Sequence, residues 1–487
     1  STLPSVLKFK KQLNEQIVTI EVQVAQNICN FLEILMQPEH GFGSQESVEC
    51  KVKALSKVFV VSVVLFVEGA LTSESRDKFS EFAKQIFAQY TSLPITDTLF
   101  DYYLSGKQFQ HWAEIVPEFE YSPSDSYFSM VVPTIETTAY EYLLNLLYTS
   151  SKPVFFTGQT GVGKSIIIAK FISKLKTNNE IEPVLMNFSA QTSSQRTQNT
   201  IESKVERKSK GLYSAVGTKK LFVFVDDVNM PQVEEYGAQP PIELLRQFQS
   251  EGGFYDRQKL FWKSIGNSML VCAAAPPGGG RSELTPMFMR LFNLFSIPEP
   301  NEFTLKKIFG SILDGFLSNG FTDAVKKMGD SIIQITIEVY MSISKTLKPT
   351  PSTFHYIFNL RDVSKLFQGV LMSSPRALST PQDIIKLWIH ESCRVFHDRL
   401  VTDEDRKWFT SLLVEQANKI LSVSWTHEDL FVNDKIFFTD ILNLNKAHVT
   451  YEQVKDSKKL LKELYNKKDE YNTGNTKKME LVFFEAA

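Results

Sequence analysis

Cysteine is scarce in this sequence: Cys29, Cys50, Cys272 and Cys393 are the four, far apart, with no CxxC pair. That excludes a disulfide framework and a zinc site, and it fits a reducing, intracellular compartment. An excess of either charge is also missing, since 53 Lys+Arg stand against 55 Asp+Glu for a formal net charge of -2. The lack of a broad cationic field argues against wrapping nucleic acid or lying on an anionic membrane as a main activity. Long apolar runs are absent as well. The most apolar, Val58 to Val67, is interrupted by Ser62 and is about half the 20 or so residues that a membrane-spanning helix needs. It reads as a buried helix. The opening Ser-Thr-Leu-Pro, with Lys8, Lys10 and Lys11 close behind, lacks the apolar segment of a secretory signal, so nothing directs the chain out of the cell. The first residue is not Met and the final Glu-Ala-Ala closes an apolar run without a helix stop signal, which points to a piece of a longer polypeptide.

What is present is enough sequence, 487 residues, for about three domains. From Leu13 to about Tyr90 apolar residues (Ile17, Ile20, Val24, Ile28, Phe31, Leu32, Leu35) fall at steps of three and four, predicting a helical hairpin or bundle. After Pro94, short aromatic pieces broken by turn formers predict an ordered linker, followed by a helix around Thr137 to Leu147. Between Pro153 and Pro298 short apolar strands at 153–157, 183–188, 221–225, 269–274 and 292–297 alternate with helical or polar segments. This is the pattern of an α/β fold, a parallel sheet flanked by helices. The polar stretch Gln191 to Lys210 is open between a loop and a helix, and the basic run Lys204 to Lys210 is expected to be a solvated helix face. Helical spacing returns from Phe303 to Leu400, broken at Lys348-Pro-Thr-Pro351, and 404–487 is helical, charged and partly solvated.

One motif carries chemistry. Gly158-Gln159-Thr160-Gly161-Val162-Gly163-Lys164-Ser165 satisfies GxxxxGK[ST], and it lies after the apolar strand Pro153 to Thr157 and before the apolar helix opening at Ile166. Main-chain N–H groups of such a loop cradle a phosphate chain, with Lys164 reaching the outer phosphates, Ser165 ligating Mg²⁺ and the helix dipole adding positive potential. The bland alternative is a glycine-rich turn with an incidental lysine, and the strand-loop-helix context disfavours it. Sixty-two residues beyond Lys164, Leu221-Phe-Val-Phe-Val225 delivers Asp226 and Asp227 to the carboxyl end of a buried strand. Asp226 is expected to hold Mg²⁺. Asp227 stands where a hydrolase polarises the attacking water, one methylene shorter than Glu, so it makes a poor base without preventing binding. Two Asp after a strand could alternatively be no more than a cap or turn.

Further segments, Asp226-Asp-Val-Asn-Met-Pro231, Tyr236 to Arg246, Gly252-Gly-Phe-Tyr-Asp-Arg257, Pro276-Pro-Gly-Gly-Gly-Arg281, Phe358-Asn-Leu-Arg-Asp362 and His390 to Leu400, together resemble the third AAA+ module of an axonemal dynein heavy chain, with wording similar to the inner-arm type. The resemblance implies an AAA+ P-loop NTPase core with helical small subdomains on either side. It divides the chain into residues 1–92, closing the second module; 93–300, the large subdomain of the third; 301–415, its small subdomain; and 416–487, a lead-in to the fourth, including Leu464-Tyr-Asn466 and Met479 to Phe484. ATP or ADP with Mg²⁺ is the implied cofactor. The implied parent is a minus-end-directed microtubule motor of the cytoskeleton in the ciliary or flagellar axoneme. Neighbouring modules are its partners, with microtubules and dynein intermediate and light chains reached through the parent chain, whose coiled-coil stalk lies outside this sequence.

Against that pattern Ala275 stands where a polar sensor of the γ-phosphate is usual, and Met287 stands at the first of two arginine positions facing the preceding module. Arg290 is left as the candidate finger, or as a plain surface ion pair. Arg361 resembles the small-subdomain arginine that senses nucleotide, with a solvated helix arginine paired to Asp362 as the alternative. Phe254-Tyr255 and Phe261-Trp262 resemble an inserted hairpin. The expected function is a slowly hydrolysing regulatory ATPase module. A non-hydrolysing nucleotide clamp and, remotely, an unrelated P-loop enzyme are the alternatives. The fragment alone is expected to turn over negligibly.

Overall fold

The computed structural model describes residues 2–37, 48–106, 108–421, 425–431, 436–443, 450–454 and 456–482. Residues 483–484 of the lead-in segment and the terminal Glu-Ala-Ala lie outside the described residues. Two compact units divide the chain, one of residues 1–118 and 133–299, the other of 119–132 and 300–487.

The first unit opens with helices α1 (Thr2–Lys10), α2 (Glu21–Leu35), α3 (Val48–Ala70) and α4 (Ser73–Phe87), then a small hairpin, β1 (Tyr102–Ser105) with β2 (Gln108–His111), and α5 (Ile135–Thr149). The α/β part follows: β3 (Val154–Thr157), α6 (Lys164–Thr177), β4 (Ile181–Asn187), α7 (Ser194–Glu202), β5 (Val205–Ser209), β6 (Leu212–Ala215), β7 (Lys220–Asp226), α8 (Pro240–Glu251), β8 (Gly253–Tyr255), β9 (Trp262–Ile265), β10 (Ser268–Ala274), α9 (Pro286–Met289) and β11 (Asn293–Ser296). Each of the five apolar runs read as a strand lies on one of β3, β4, β7, β10 and β11, which form a wholly parallel sheet in the order β11-β3-β10-β7-β4. Both faces of that sheet are covered, which is why its strands are continuously apolar rather than alternating. Phe156, Phe222, Phe224, Val271 and Phe295 pack on one face with α3, α5 and α6, and Phe155, Val223, Val225, Cys272 and Leu294 on the other with α8 and α9. Burial pushes the Cys272 thiol well above its ordinary range, so it behaves as a core group.

The open stretch Gln191 to Lys210 resolves into helix then strand. Ser193 caps α7 by accepting the Arg196 N–H, and Ile201 pins the helix to the core. The basic run is not a helix face. It is β5, the edge of a second sheet ordered β5-β6-β9-β8, and Gly211 with φ +83° makes the turn into β6. Exposed lysines and a register shift between Arg207 and Ser209 blunt this edge, as a solvated edge strand requires. The inserted hairpin expected at Phe254 and Trp262 is β8 paired antiparallel with β9.

The second unit holds α10 (Glu302–Leu317), α11 (Asp323–Lys326), α12 (Gly329–Thr346), α13 (Leu360–Leu371), α14 (Pro381–Ser392), α15 (Asp403–Leu421), α16 (His427–Phe431), a short pair β12 (Phe438–Thr439) and β13 (Glu452–Gln453), and α17 (Ser457–Gly474). The Lys348 to Pro351 break separates α12 from α13, as its prolines dictate. Trp388 is buried in this unit's core, where its indole N–H donates to Thr336 Oγ1 at 2.8 Å. Among the described residues no helix is long and apolar enough to cross a membrane.

Candidate nucleotide-binding site

Register brings the key loops together. Thr157 stands level with Ala274 of β10 and Ser296 of β11, and Cys272 of β10 with Val225 of β7. The chain therefore leaves β3 into the glycine loop, β10 into Ala275 and β7 into Asp227 at one edge of the sheet, the carboxyl end where ligands of parallel sheets bind.

The loop itself is built by glycine. Gly158, Gly161 and Gly163 have φ of +156°, +93° and +96°, values that L side chains rarely adopt. Gly163 is the N-cap of α6 and contributes no side-chain cap, so the first N–H groups of the helix face the loop as donors for an anion. Gln159 is exposed, Thr160, Val162 and Ser165 half-buried, and Ile166 is a half-exposed residue of the first helical turn. Lys164 is buried, yet its ammonium does not enter the core: Nζ folds back over the loop and donates to the carbonyls of Gly158 at 2.7 Å and Gln159 at 2.8 Å.

Opposite it, Ser165 Oγ donates to Asp226 Oδ2, and the Asp227 N–H donates to Asp226 Oδ1 at 3.0 Å. A serine hydroxyl beside a carboxylate is a hard-oxygen pair suited to Mg²⁺, which takes one or two protein oxygens and completes its shell with water and phosphate. The donor set fits that ion. Among the described residues no cluster of three or more His, Cys, Asp or Glu forms an all-protein cage. Asp227 has φ +50°, an uncommon conformation for a residue with a side chain, held where β7 ends. Outliers of this kind gather at functional sites.

Two residues that stand in the segments carrying the resemblance, but with no role assigned from sequence, complete the edge. Asn229, buried, donates from Nδ2 to the Ala275 carbonyl at 2.8 Å, and its own main-chain carbonyl accepts the Ser282 N–H at 3.1 Å. The loop between Ala275 and Ser282 is thus pinned at both ends by one residue. From it, Arg281 Nη2 donates to Thr160 Oγ1 at 3.2 Å. The signal was present in Gly278-Gly279-Gly280, three residues that all take positive φ, directly before the arginine.

Arg290 is exposed just after α9, and among the described residues no carboxylate pairs with it. Its segment is braced from α2: Gln23 Nε2 donates to the carbonyls of Met289 (2.8 Å) and Phe292 (3.0 Å), and Asn27 Nδ2 to Phe292 (3.1 Å). Arg361 belongs to the second unit, exposed in the first turn of α13. Asp362 does not pair with it. That carboxylate accepts the Asn359 N–H at 3.0 Å and lies 2.7 Å from Arg399.

A family model described as a P-loop containing dynein motor region matches residues 119–300, one described as a dynein heavy chain AAA lid domain matches 1–114, and one described as an AAA+ lid domain matches 332–430. The chain is 41% identical over 485 residues to dynein axonemal heavy chain 6 of Homo sapiens, covering 98% of this chain and 12% of that protein. This chain belongs to the dynein heavy-chain family. It is also 33% identical to human dynein axonemal heavy chain 1 over 522 residues and 33% identical to mouse dynein axonemal heavy chain 2 over 488, each covering 99% of this chain and 12% and 11% of the relative. This dynein sequence therefore spans about an eighth of the length of its curated relatives. Membership in the AAA+ dynein motor family implies nucleotide binding with a metal ion.

Proposed function

We propose that this chain is the third AAA+ module of an axonemal dynein heavy chain, a slowly hydrolysing regulatory ATPase of the motor ring. In this reading residues 1–92 close the second module, 93–300 and 301–415 are the large and small subdomains of the third, and 416–487 lead into the fourth. The observation that carries it is the arrangement at the sheet edge: Lys164 folded over the Gly158 and Gln159 carbonyls, facing a Ser165–Asp226 hydrogen bond. Phosphate oxygens of ATP or ADP would replace the Gly158 and Gln159 carbonyls as acceptors of the Lys164 ammonium. Mg²⁺, when bound, would neutralise charge on the outer phosphates and hold their oxygens in place. Ser165 and Asp226 would hold it, the loop N–H groups would hold the phosphates, Asp227 would orient water poorly, and Arg361 keeps the role of nucleotide sensor that the resemblance implies. Arg290, braced by Gln23 and Asn27, serves the preceding module's nucleotide. Through the parent chain the module works on microtubules in the axoneme of a cilium, with intermediate and light chains.

A second reading, a clamp that binds ADP without turnover, is favoured by Ala275, which puts a methyl group where water is usually positioned. The two readings separate in the purified parent heavy chain. Lys164→Ala is expected to remove a slow component of phosphate release, and an unchanged rate would replace the ATPase reading with the clamp. In the 487-residue chain the same variant should weaken Mg-nucleotide binding about 10- to 100-fold, the worth of charged hydrogen bonds, measured by calorimetry. The chain alone should show negligible turnover. Steady hydrolysis abolished by Asp226→Ala would refute that.

A further inference from the structure

We propose that Arg281 discriminates nucleoside triphosphate from diphosphate within its own module, taking over the polar contact that Ala275 lacks. The inference rests on the nucleotide reading above and goes beyond it by assigning the discrimination to a residue outside the glycine loop and the acidic strand end. Arg281 follows β10, the strand lying between the strand that feeds the glycine loop and the strand that ends in Asp226. Its guanidinium already touches the cradle, through Thr160, and among the described residues no carboxylate neutralises it. Its Nε is enclosed and has no hydrogen-bond partner among them. A buried guanidinium donor without an acceptor costs free energy, and a ligand oxygen would remove that cost.

Position decides which phosphate. The lysine of such a loop reaches the β- and γ-phosphates, and Lys164 Nζ lies on the carbonyls of Gly158 and Gln159, the first limb of the loop. Thr160 is the next residue along that limb, so Arg281 stands at the outer end of the phosphate chain. Its present acceptor is a neutral hydroxyl. An anionic phosphate oxygen accepts more strongly, and a guanidinium presents paired donors to it in a fixed fork. The γ-phosphate of a triphosphate draws Arg281 off Thr160, and a diphosphate leaves it there.

The loop is built for that short movement. Asn229 fixes it at Ala275 and Ser282, while between them Gly278, Gly279 and Gly280 have φ of +123°, +58° and +85°. Among the described residues a Cβ added at Gly278 or Gly280 would meet nothing within 4 Å, so space is open around the tip, which closes on itself through main-chain hydrogen bonds between Gly278 and Arg281 and leaves the guanidinium to move. Asn229 is a positioning residue in this scheme.

The test is calorimetric titration of the 487-residue chain with MgATPγS and with MgADP, for wild type, Arg281→Ala, Arg281→Lys and Lys164→Ala, each checked for a cooperative melt. Arg281→Ala is expected to lose triphosphate affinity by about 10- to 100-fold, the range for a hydrogen bond to a charged group, with diphosphate affinity changed by less than about twofold. Arg281→Lys keeps the charge without the fork and falls between, and it carries the test if the alanine variant does not fold. Lys164→Ala lowers both affinities. Equal losses for both nucleotides at Arg281, or none, overturn the inference while the nucleotide reading stands. No binding by cooperatively melting wild type overturns both.

Discussion

The glycine loop offers a comparison between two substitutions of the same chemistry with different expected penalties. Gly158→Ala and Gly163→Ala each force a side chain into backbone geometry that favours glycine, φ +156° and +96°, and each should lose about 1–2 kcal/mol on that ground alone. At Gly163 nothing among the described residues lies within 4 Å of the added Cβ. At Gly158 the Cβ would stand 2.6 Å from the Ile297 carbonyl oxygen and 3.0 Å from Val162 Cγ2. Ile297 cannot retreat easily, because its N–H donates to the Thr157 carbonyl at 2.7 Å and continues the β11–β3 ladder. Overpacking against fixed backbone adds about 1–3 kcal/mol. Scanning calorimetry without nucleotide should therefore place Gly163→Ala a few degrees below wild type, at about 2–4 °C per kcal/mol for domains of this class, and Gly158→Ala about twice as far below. Equal shifts would refute the reasoning, since the clash would then contribute nothing.

In the second unit, Gly369 lies inside α13, where Gly→Ala ordinarily stabilises by about 0.4–1 kcal/mol. Here the new methyl group would collide with the Glu391 carboxyl, which is fully buried and tied by Tyr451 Oη at 2.6 Å and Arg394 Nε at 2.7 Å, so Gly369→Ala should destabilise by about 1–2 kcal/mol in urea titration. A neutral or stabilising result would mean that Glu391 moves freely. In the turn between β8 and β9, the Lys259 N–H, the Lys263 ammonium and the Gln258 N–H hold the Asp256 carboxyl down to about 2. A depressed carboxylate contributes stability above its unfolded value near 3.8 and loses it as pH falls through about 2. The melting difference between wild type and Asp256→Asn should hold constant from neutral pH to about 4 and then shrink, and a difference flat down to pH 2 would contradict this.

Much of the core was readable because its causes are local. Five apolar runs bounded by turn formers become five strands, since a strand buried on both faces has no other composition available to it. The glycine loop was readable for the same reason: its backbone geometry and its helix start depend on residues adjacent in sequence. The basic run at Lys204 to Lys210 was misread because a solvated edge strand carries no apolar rhythm, and its pairing with β6 came from a turn at Gly211 that the charge pattern concealed.

The amino-acid sequence by itself determined that a parallel α/β sheet would carry a glycine-lysine loop after one strand and two aspartates after another, because apolar runs, glycines and strand ends are signals carried by residues adjacent in sequence. Only the tertiary structure decided that β10 lies between the two strands, that Asn229 grips both ends of the loop that follows, and that Arg281, 121 residues beyond Thr160, meets it. It also decided that residues 119–132 are compact with 300–487 rather than with their sequence neighbours. The reason is physical: periodicity reports which face of an element is apolar, while the choice of neighbour depends on register and packing summed over the whole sheet.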